Sequence, residues 1–595
     1  MSERHKDAVS QAPARGGDDH AVTAGEIRRA RTDRRGFLGA LGGTALASWA
    51  EDTDARRGAA CGEPGPHDDP EPQRGEERRH RAFQLRRQAA LDELRLGLFP
   101  KWTNGDEELY PNRIGNYSKC LPHNDLGEVD PDAYDAMLCA LASGRFEDFE
   151  ALPLAGLLRL SNPLGGLTYD LIGPDAAAVP IEPPPPPFAS AEAAAQMAEL
   201  YWMALCRDVP FTDYSTDPTV AAAIDDLSRY SGYRGPRPLT PQTIFRMDSP
   251  GVMDGPMVSQ FMLQPMTYDS IRIVPRLQVP LPVTTGNGID FMTSYDEWLA
   301  AQRGFPPGTT IGFPRMDPVP RYVHNLRGVG QLAGSDMHFT PYLRAALILL
   351  SYGDQALSDR NPYKSSRTQI GFASFGPFHL LTLMGCLTRA SHPGFYGKWY
   401  VHRYLRPDAF GGRVHNRRRG AADYPIHPDL LESPVLDRIY AYNELVNRRR
   451  GLNGGRGSYL LPSMMPIGSP TDPSHPGGHG YTAGSRAALL KAWFKEDFVL
   501  PNPVKPSRDG TALEPYVPGV DGPPLTIAGE INKLAHNTSL GRDVYGIHYR
   551  NDDVAGHKLG EELAIRVLRE ERPTYPESVF RGFVFTRLDG TLVEL

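Results

Sequence analysis

Residues 473–485 read PSHPGGHGYTAGS and run directly into the apolar stretch AALLKAWF, a sequence that predicts the start of a helix. Gly477 and Gly478 stand directly before His479. Glycines leave the backbone bare, and the first amides of a helix have no acceptor within the helix. Such a helix start suits an anion, and His479 is placed to hydrogen-bond whatever the amides hold. A plain turn followed by a helix is the alternative interpretation of these residues alone.

The sequence gives little support for a metal site made of protein ligands alone, or for binding to nucleic acid or anionic membranes. His475 and His479 are four residues apart, as metal-binding pairs often are, but no third ligand stands at a standard spacing. The five cysteines form neither a CxxC pair nor a CxxCH haem motif. The net charge of −7, from 64 basic and 71 acidic residues, argues against nucleic acid and anionic membranes. Any anion site must therefore be local.

Helical periodicity dominates the chain. Ser190 is placed to cap a helix in which Met197, Leu200 and Ala204 recur at helical spacing. Further helices are predicted at 341–352, 378–388, 436–447, 481–493 and 554–569. Small hairpins are predicted at 271–283 and 579–588. The sequence thus predicts a mainly α fold of helical bundles, with two four-helix-bundle-like cores, long ordered loops and a few β-hairpins.

The N-terminal region resembles an export signal. Arg34 and Arg35 precede a mild Gly/Ala-rich apolar stretch that is too short to span a bilayer, as in a twin-arginine signal. It predicts export to the periplasm or the outside; a chance Arg-Arg pair in a basic tail is the alternative. No longer apolar run predicts a transmembrane segment. We predict a signal region (1–50), a disordered linker (51–80), an N-terminal helical half (81–325) and a C-terminal helical half that holds the site (326–595).

Two further segments carry candidate anion-binding cations. In KWYVHRYLRP, Lys398 and Arg406 are eight residues apart, so on one helix they would share a face. In GRDVYGIHYRNDD, Arg542 and His548 are six residues apart, just before a helix that Asp552 or its neighbour could cap. Taken singly, each segment has an ordinary interpretation: a solvated basic helix, and a capped helix with a surface arginine.

Taken together, the three segments carry a family resemblance. Lys-x7-Arg-Pro, Gly-Gly-His and Gly-Arg-x5-His, in that order, resemble the vanadium-dependent haloperoxidases, which share their site with type 2 phosphatidic-acid phosphatases. TNGDEELYPNRIGNYSKCLPHNDLGEVDPDAY (103–134), AELYWMALCRDVPF (198–211) and MDSPGVMDGPMVSQFMLQ (247–264) are similar to the algal and bacterial bromoperoxidase branch. The resemblance covers about 82–575 of this chain.

The resemblance implies one vanadate per subunit, bonded through vanadium to His548. It implies oxidation of halide, bromide above all, by hydrogen peroxide to hypohalous acid, which halogenates a small organic acceptor. His479 is the implied acid–base group, Lys398 polarises the peroxide, and both act with His548 as catalytic residues. The implied cofactor-binding residues are Lys398, Arg406, Gly477, Gly478, His479, Arg542 and His548.

Three positions bear on this expectation. The family commonly has serine where Gly477 stands, so the oxyanion loses one neutral donor, typically worth about 0.5–1.5 kcal/mol. Asp472 stands where algal bromoperoxidases often have histidine; it could bond water, raise the basicity of His479 or His475, or repel halide. Asp336 stands where the family often has an aspartate that pairs with a site arginine, and a helix N-cap is the alternative.

Two other functions remain open at this point. A soluble acid phosphatase could use His548 as its nucleophile on phosphorus, because phosphate and vanadate are both tetrahedral oxyanions. A non-catalytic exported homologue could bind the oxyanion only. The chain length, the N-terminal resemblance and the eight-residue Lys-to-Arg step favour the peroxidase. Algal relatives form homodimers, so the resemblance also implies a homodimer or a higher homo-oligomer.

Overall fold

The computed structural model describes residues 71–268, 270–283, 288–305, 314–335 and 337–595. The predicted signal region and most of the predicted linker lie outside these residues, and so does Asp336. The first helix begins at Glu71, so the last ten residues of the predicted linker are helical. Residues Gly75–Leu595 form one compact unit. One apolar core cluster runs through both predicted halves, and the boundary at 325/326 stays a prediction.

The expectation of a mainly α fold is confirmed, with small strands as the only sheet structure among the described residues. The α-helices are α1 (Glu71–Leu96), α2 (Asp106–Leu109), α3 (Pro131–Ser143), α4 (Phe146–Glu150), α5 (Ala191–Cys206), α6 (Pro218–Leu227), α7 (Gln260–Leu263), α8 (Tyr295–Gln302), α9 (Leu326–Ser335), α10 (Thr340–Ser351), α11 (Pro377–Cys386), α12 (Ser391–Tyr396), α13 (Pro407–Arg418), α14 (Pro428–Leu431), α15 (Val435–Arg450), α16 (Gly478–Trp493), α17 (Ile527–Tyr545) and α18 (Arg550–Glu571). None of the described helices has the length and apolar character needed to cross a membrane.

The named strands of the described residues form three antiparallel hairpins. They pair β1 (Met266–Tyr268) with β2 (Ile271–Ile273), β3 (Val504–Pro506) with β4 (Leu513–Pro515), and β5 (Val584–Thr586) with β6 (Leu592–Glu594). The first and third overlap the hairpins predicted from the sequence, but each is shifted along the chain. The second was not predicted.

The predicted helices begin and end within a few residues of the expected positions. Ser190 caps α5 as expected, with its side chain accepting from the Ala193 amide. The sequence analysis missed α17, although Thr526 caps it and Ile527, Ile531 and Leu534 recur at helical spacing. This omission matters because α17 carries Arg542 in its last turn.

Helices α16 and α18 pack backbone to backbone through glycines. A Cβ added to Gly484 would lie 2.1 Å from the His557 carbonyl oxygen, and one added to Gly560 would lie 2.1 Å from the Tyr481 carbonyl oxygen. A side chain at either position would therefore force the helices apart. Gly541 plays the same part between α17 and α9, where an added Cβ would lie 2.4 Å from the Ala333 Cβ. These close approaches place three segments that carry candidate site residues side by side.

Candidate active site

The N-terminus of α16 presents its backbone as the sequence predicts. Gly477 is the N-cap residue, and no side chain caps this helix end. The Gly477 amide, however, donates to the Asp552 carbonyl oxygen at 2.8 Å. Gly477 therefore does not offer the free backbone donor expected of it, whereas the Gly478 amide, in the first turn, has no acceptor within the helix.

His479 lies buried in the first turn of α16. Its ring centroid is 3.8 Å from that of His338, and it is hydrogen-bonded to the Ala333 carbonyl. Burial and the nearby Arg542 guanidinium lower the pKa of His479 well below its usual value, despite the opposing Ala333 hydrogen bond. The imidazole is therefore neutral at neutral pH.

Arg542 reaches the same place from the last turn of α17. Its Nη1 donates to the Ala333 carbonyl oxygen at 3.1 Å, so His479 and Arg542 share one acceptor at the end of α9. The close approach of Gly541 to Ala333 sets this contact. The sequence-predicted proximity of the two residues is thus built by the packing of α17 on α9.

Lys398 and Arg406 both reach the site, but not along one helix face as expected. Lys398 lies in a π-helical turn, Gly397–His402, which is a kind of turn found often at functional sites. The chain then turns through Arg403, whose φ of 40° is in the left-handed region. Arg406 lies beyond this turn, as the N-cap residue of α13. The two cations therefore converge through a bend in the chain and not through helical periodicity.

The backbone of the 472–474 loop holds both cations in place. Lys398 Nζ donates to the Pro473 carbonyl oxygen at 2.7 Å, and Arg406 Nε donates to the Asp472 carbonyl oxygen at 2.8 Å. Arg406 Nη1 also donates to the Ile547 carbonyl oxygen at 2.8 Å and lies 3.1 Å from His548 Nε2. Burial, together with the charge of Arg406, lowers the pKa of Lys398 to about 8, although Asp472 opposes this shift.

His548 is oriented by a carboxylate that the sequence analysis had not identified as its partner. Its Nδ1 lies 2.9 Å from Asp552 Oδ2, and the same carboxylate accepts from Ser474 and from the Tyr549 amide. The hydrogen bonds from the two histidines, His475 and His548, hold the pKa of Asp552 below its usual range although burial raises it. The ionised Asp552 fixes the proton of His548 on Nδ1, which leaves a lone pair on Nε2.

Asp552 also explains the place of His475. His475 Nδ1 lies 3.2 Å from Asp552 Oδ1, and the His475 side chain is fully buried. His475 therefore supports Asp552 from behind and is not one half of a helical metal pair with His479. No cluster of three potential metal-ligating side chains occurs in the described part of the chain.

Asp472 lies among the cations. Its Oδ2 is 2.7 Å from Lys398 Nζ, and its Oδ1 is 3.0 Å from Arg406 Nη2. Burial on its own would raise the pKa of Asp472, but the two cations more than offset it and lower the pKa to about 2. Asp472 is thus an ionised, doubly paired carboxylate at neutral pH.

The donor set fits a tetrahedral oxyanion bonded to an imidazole. A lone pair on His548 Nε2 faces the cations, and buried Lys398 and Arg406, together with Arg542, supply the positive charge that a buried oxyanion requires. Sequence reasoning missed His338, Ser474 and the role of Asp552. The acidic residue four positions after His548 on a helix start was the available signal for Asp552.

Comparison with known proteins agrees with this chemistry. A vanadium-dependent bromoperoxidase of Ascophyllum nodosum is 36% identical over 551 residues, 89% of this chain and 94% of that protein. A vanadium-dependent bromoperoxidase of Corallina officinalis is 30% identical over 86% of this chain and 98% of that protein. No protein-family profile matches the chain.

A solved structure is similar over nearly the same length. It is the second vanadate-dependent bromoperoxidase of Ascophyllum nodosum, described as a homohexamer, with a TM-score of 0.82 and 31% identity over 92% of this chain and 94% of that chain. Fold and site together define a histidine-based oxyanion enzyme site on a helical scaffold. The chain belongs to the vanadium-dependent bromoperoxidase family.

Proposed function

We propose that this chain is a vanadate-dependent haloperoxidase that uses hydrogen peroxide to oxidise halide, bromide in the first place, to hypohalous acid. The observation that carries the proposal is the geometry of His548. Its Nδ1 is hydrogen-bonded to the Asp552 carboxylate, while its Nε2 faces Arg406. An imidazole held in this tautomer, beside buried cations, is suited to ligate the metal of an oxyanion. Vanadate bound there supplies Lewis-acid activation of peroxide.

The residues around that position have separate tasks. Lys398 and Arg406 neutralise oxyanion charge, and the guanidinium of Arg542 adds a third positive charge to the set. The Gly478 amide at the start of α16 donates to an oxygen, helped by the helix dipole. The bound anion is thereby held by groups from α13, α16, α17 and the π-helical turn, which fixes its orientation.

His479 handles the proton in this scheme. Because its pKa is lowered, the ring is neutral at neutral pH and can take a proton from hydrogen peroxide. Its hydrogen bond to Ala333 fixes the ring orientation. Lys398, 2% exposed, stabilises negative charge developing on oxygen in a water-poor setting.

One pair of assays tests the proposal. The purified protein is loaded with orthovanadate, and bromination of a phenol dye is followed with peroxide and bromide. Hydrolysis of p-nitrophenyl phosphate by the vanadate-free protein is measured in parallel. We expect bromination that is lost in His548→Ala, and no phosphatase turnover. Phosphatase activity without bromination would favour the soluble phosphatase, and neither activity would favour a binding-only homologue.

Assembly and export extend the proposal. The homohexameric relative supports a homo-oligomer for this chain, which sedimentation of the purified protein tests. The Arg34-Arg35 motif supports export by the twin-arginine route to the periplasm or the outside. Fractionation of a bacterial host that expresses the chain with and without Arg34→Lys and Arg35→Lys tests the export; unchanged distribution would contradict it.

A further inference from the structure

Asp472 is placed where an incoming oxyanion needs to bind. Its two carboxylate oxygens lie 2.7 Å from Lys398 Nζ and 3.0 Å from Arg406 Nη2, which are two of the cations proposed to hold vanadate. The side chain is 9% exposed, so water does little to screen these pairs. A carboxylate in this position makes the same kind of charge-assisted hydrogen bonds that an oxyanion oxygen would make.

The backbone shows that the cations do not depend on this carboxylate for their position. Lys398 Nζ also donates to the Pro473 carbonyl oxygen, and Arg406 donates to the carbonyl oxygens of Asp472 and Ile547. These main-chain contacts remain when the Asp472 side chain loses its charge. The carboxylate therefore supplies counter-charge and not the framework.

We propose that Asp472 is an internal counter-ion that occupies Lys398 and Arg406 and must give them up, wholly or in part, when a tetrahedral oxyanion binds. This inference rests on the proposed function, because it assigns the same cations to vanadate. An oxyanion that enters the site either displaces the carboxylate or binds beside it against charge repulsion. Either event reduces the affinity of the site for the oxyanion. Asp472 thus sets the oxyanion affinity of the site.

The alternative role for Asp472 predicts the opposite change. If the carboxylate mainly positions the cations for vanadate, removing its charge will weaken oxyanion binding. If it acts as an internal competitor, removing its charge will strengthen binding while lowering the stability of the anion-free protein, because two buried cations lose their partner. The combination of lower stability and higher affinity is specific to a competitor.

The test compares the wild-type chain with Asp472→Asn, a neutral side chain of the same shape, and with the smaller Asp472→Ser. Both variants are purified in phosphate and dialysed. The dissociation constant for orthovanadate is measured by equilibrium dialysis with elemental analysis of vanadium, and the phosphate-induced rise in Tm by calorimetry. We expect vanadate affinity to increase about tenfold or more in both variants, with a lower anion-free Tm and a larger rise on adding phosphate.

Two controls separate the possible failures. Asp208→Asn removes a carboxylate whose hydrogen bonds go to the buried Arg327 and to the Val283 amide, not to a proposed vanadate-binding residue, and it should leave vanadate affinity unchanged. His548→Ala should abolish tight vanadate binding. Equal or weaker vanadate binding by Asp472→Asn and Asp472→Ser, in a wild-type protein that binds through His548, overturns the counter-ion role alone. Failure of the wild type and of every variant to bind vanadate overturns the proposed function as well.

Discussion

Two buried clusters of cations in this molecule differ in their balance of charge. In the first, Arg207 and Arg327 share Asp290, and Arg327 also binds both oxygens of Asp208, so two cations meet two carboxylates. In the second, Lys398 and Arg406 share one carboxylate, that of Asp472. No other carboxylate of the described residues lies within ion-pair distance of either cation. The first cluster is complete as it stands, whereas the second has positive charge left for an anion.

The difference shows what marks a binding site. Tyr442 donates to Asp290 at 2.7 Å, and Arg207 donates to two main-chain carbonyls, so the first cluster joins distant segments into a closed network. Burial raises the pKa of Asp290, but the two guanidinium groups more than offset it and hold this pKa below its usual range. Buried cations by themselves do not indicate function; an excess of them beside a correctly oriented histidine does.

Breaking the balanced cluster should give the largest effect. Asp290→Ala leaves Arg207 and Arg327 without their shared buried carboxylate, and loss of one partner of a buried pair typically costs about 3–5 kcal/mol. We expect chemical denaturation to show this loss of stability. A stability within error of the wild type would contradict the structural role of this cluster.

Separating α16 from α18 should disturb the second cluster and leave the first intact. In Gly484→Ala the new Cβ meets the His557 carbonyl, and the resulting overpacking typically costs about 1–3 kcal/mol. Because the two helices carry His479 and Asp552, vanadate affinity should fall together with Tm. Gly385→Ala, at a glycine inside α11 with open space around it, serves as a comparison for an added methyl group without helix separation.

Removing the charge behind His548 should weaken the site without unfolding it. Asp552→Asn can no longer fix the proton on Nδ1, and such changes behind a metal-ligating histidine typically lower metal affinity about 10- to 100-fold. Equilibrium dialysis with vanadate measures this loss, and circular dichroism checks the fold. Unchanged affinity would show that another group sets the tautomer of His548.

The smallest expected effect is a pH dependence from Lys398. Its pKa is lowered to about 8, so it loses its positive charge as pH rises above this value, earlier than an exposed lysine does. Phosphate affinity should therefore fall about fivefold between pH 8 and pH 9, as the protonated fraction falls. Lys398→Arg keeps its charge in this range, and a calorimetric titration should show the fall in the wild type only.

Local sequence fixed much of what was predicted. Ser190 caps α5 through its own side chain, and Gly477 and Gly478 begin α16, because caps and helix starts depend on a few neighbouring residues. The shared face inferred for Lys398 and Arg406 was wrong in its geometry. Periodicity assumes an unbroken helix, and the left-handed turn at Arg403 ends it.

Caps and helical periodicity do not predict contacts between distant segments of the chain. The pairing of Asp472 with Lys398 joins a loop to a π-helical turn more than seventy residues away. The contact of His338 with His479 joins the segment just before α10 to the first turn of α16. Neither is encoded in local spacing. Both depend on how the helices pack.

The amino-acid sequence alone determined the helical class, the order of the three motifs and the kinds of side chain that are proposed to bind the oxyanion. The tertiary structure decided which groups remain available to it. Packing at Gly484 and Gly541 brings the segments together. The Asp552 carbonyl oxygen accepts a hydrogen bond from the Gly477 amide, and the Asp552 carboxylate orients His548. Asp472 neutralises part of the positive charge of Lys398 and Arg406. Hydrogen bonds and ion pairs depend on distances of a few ångströms, and only the folded chain sets those distances.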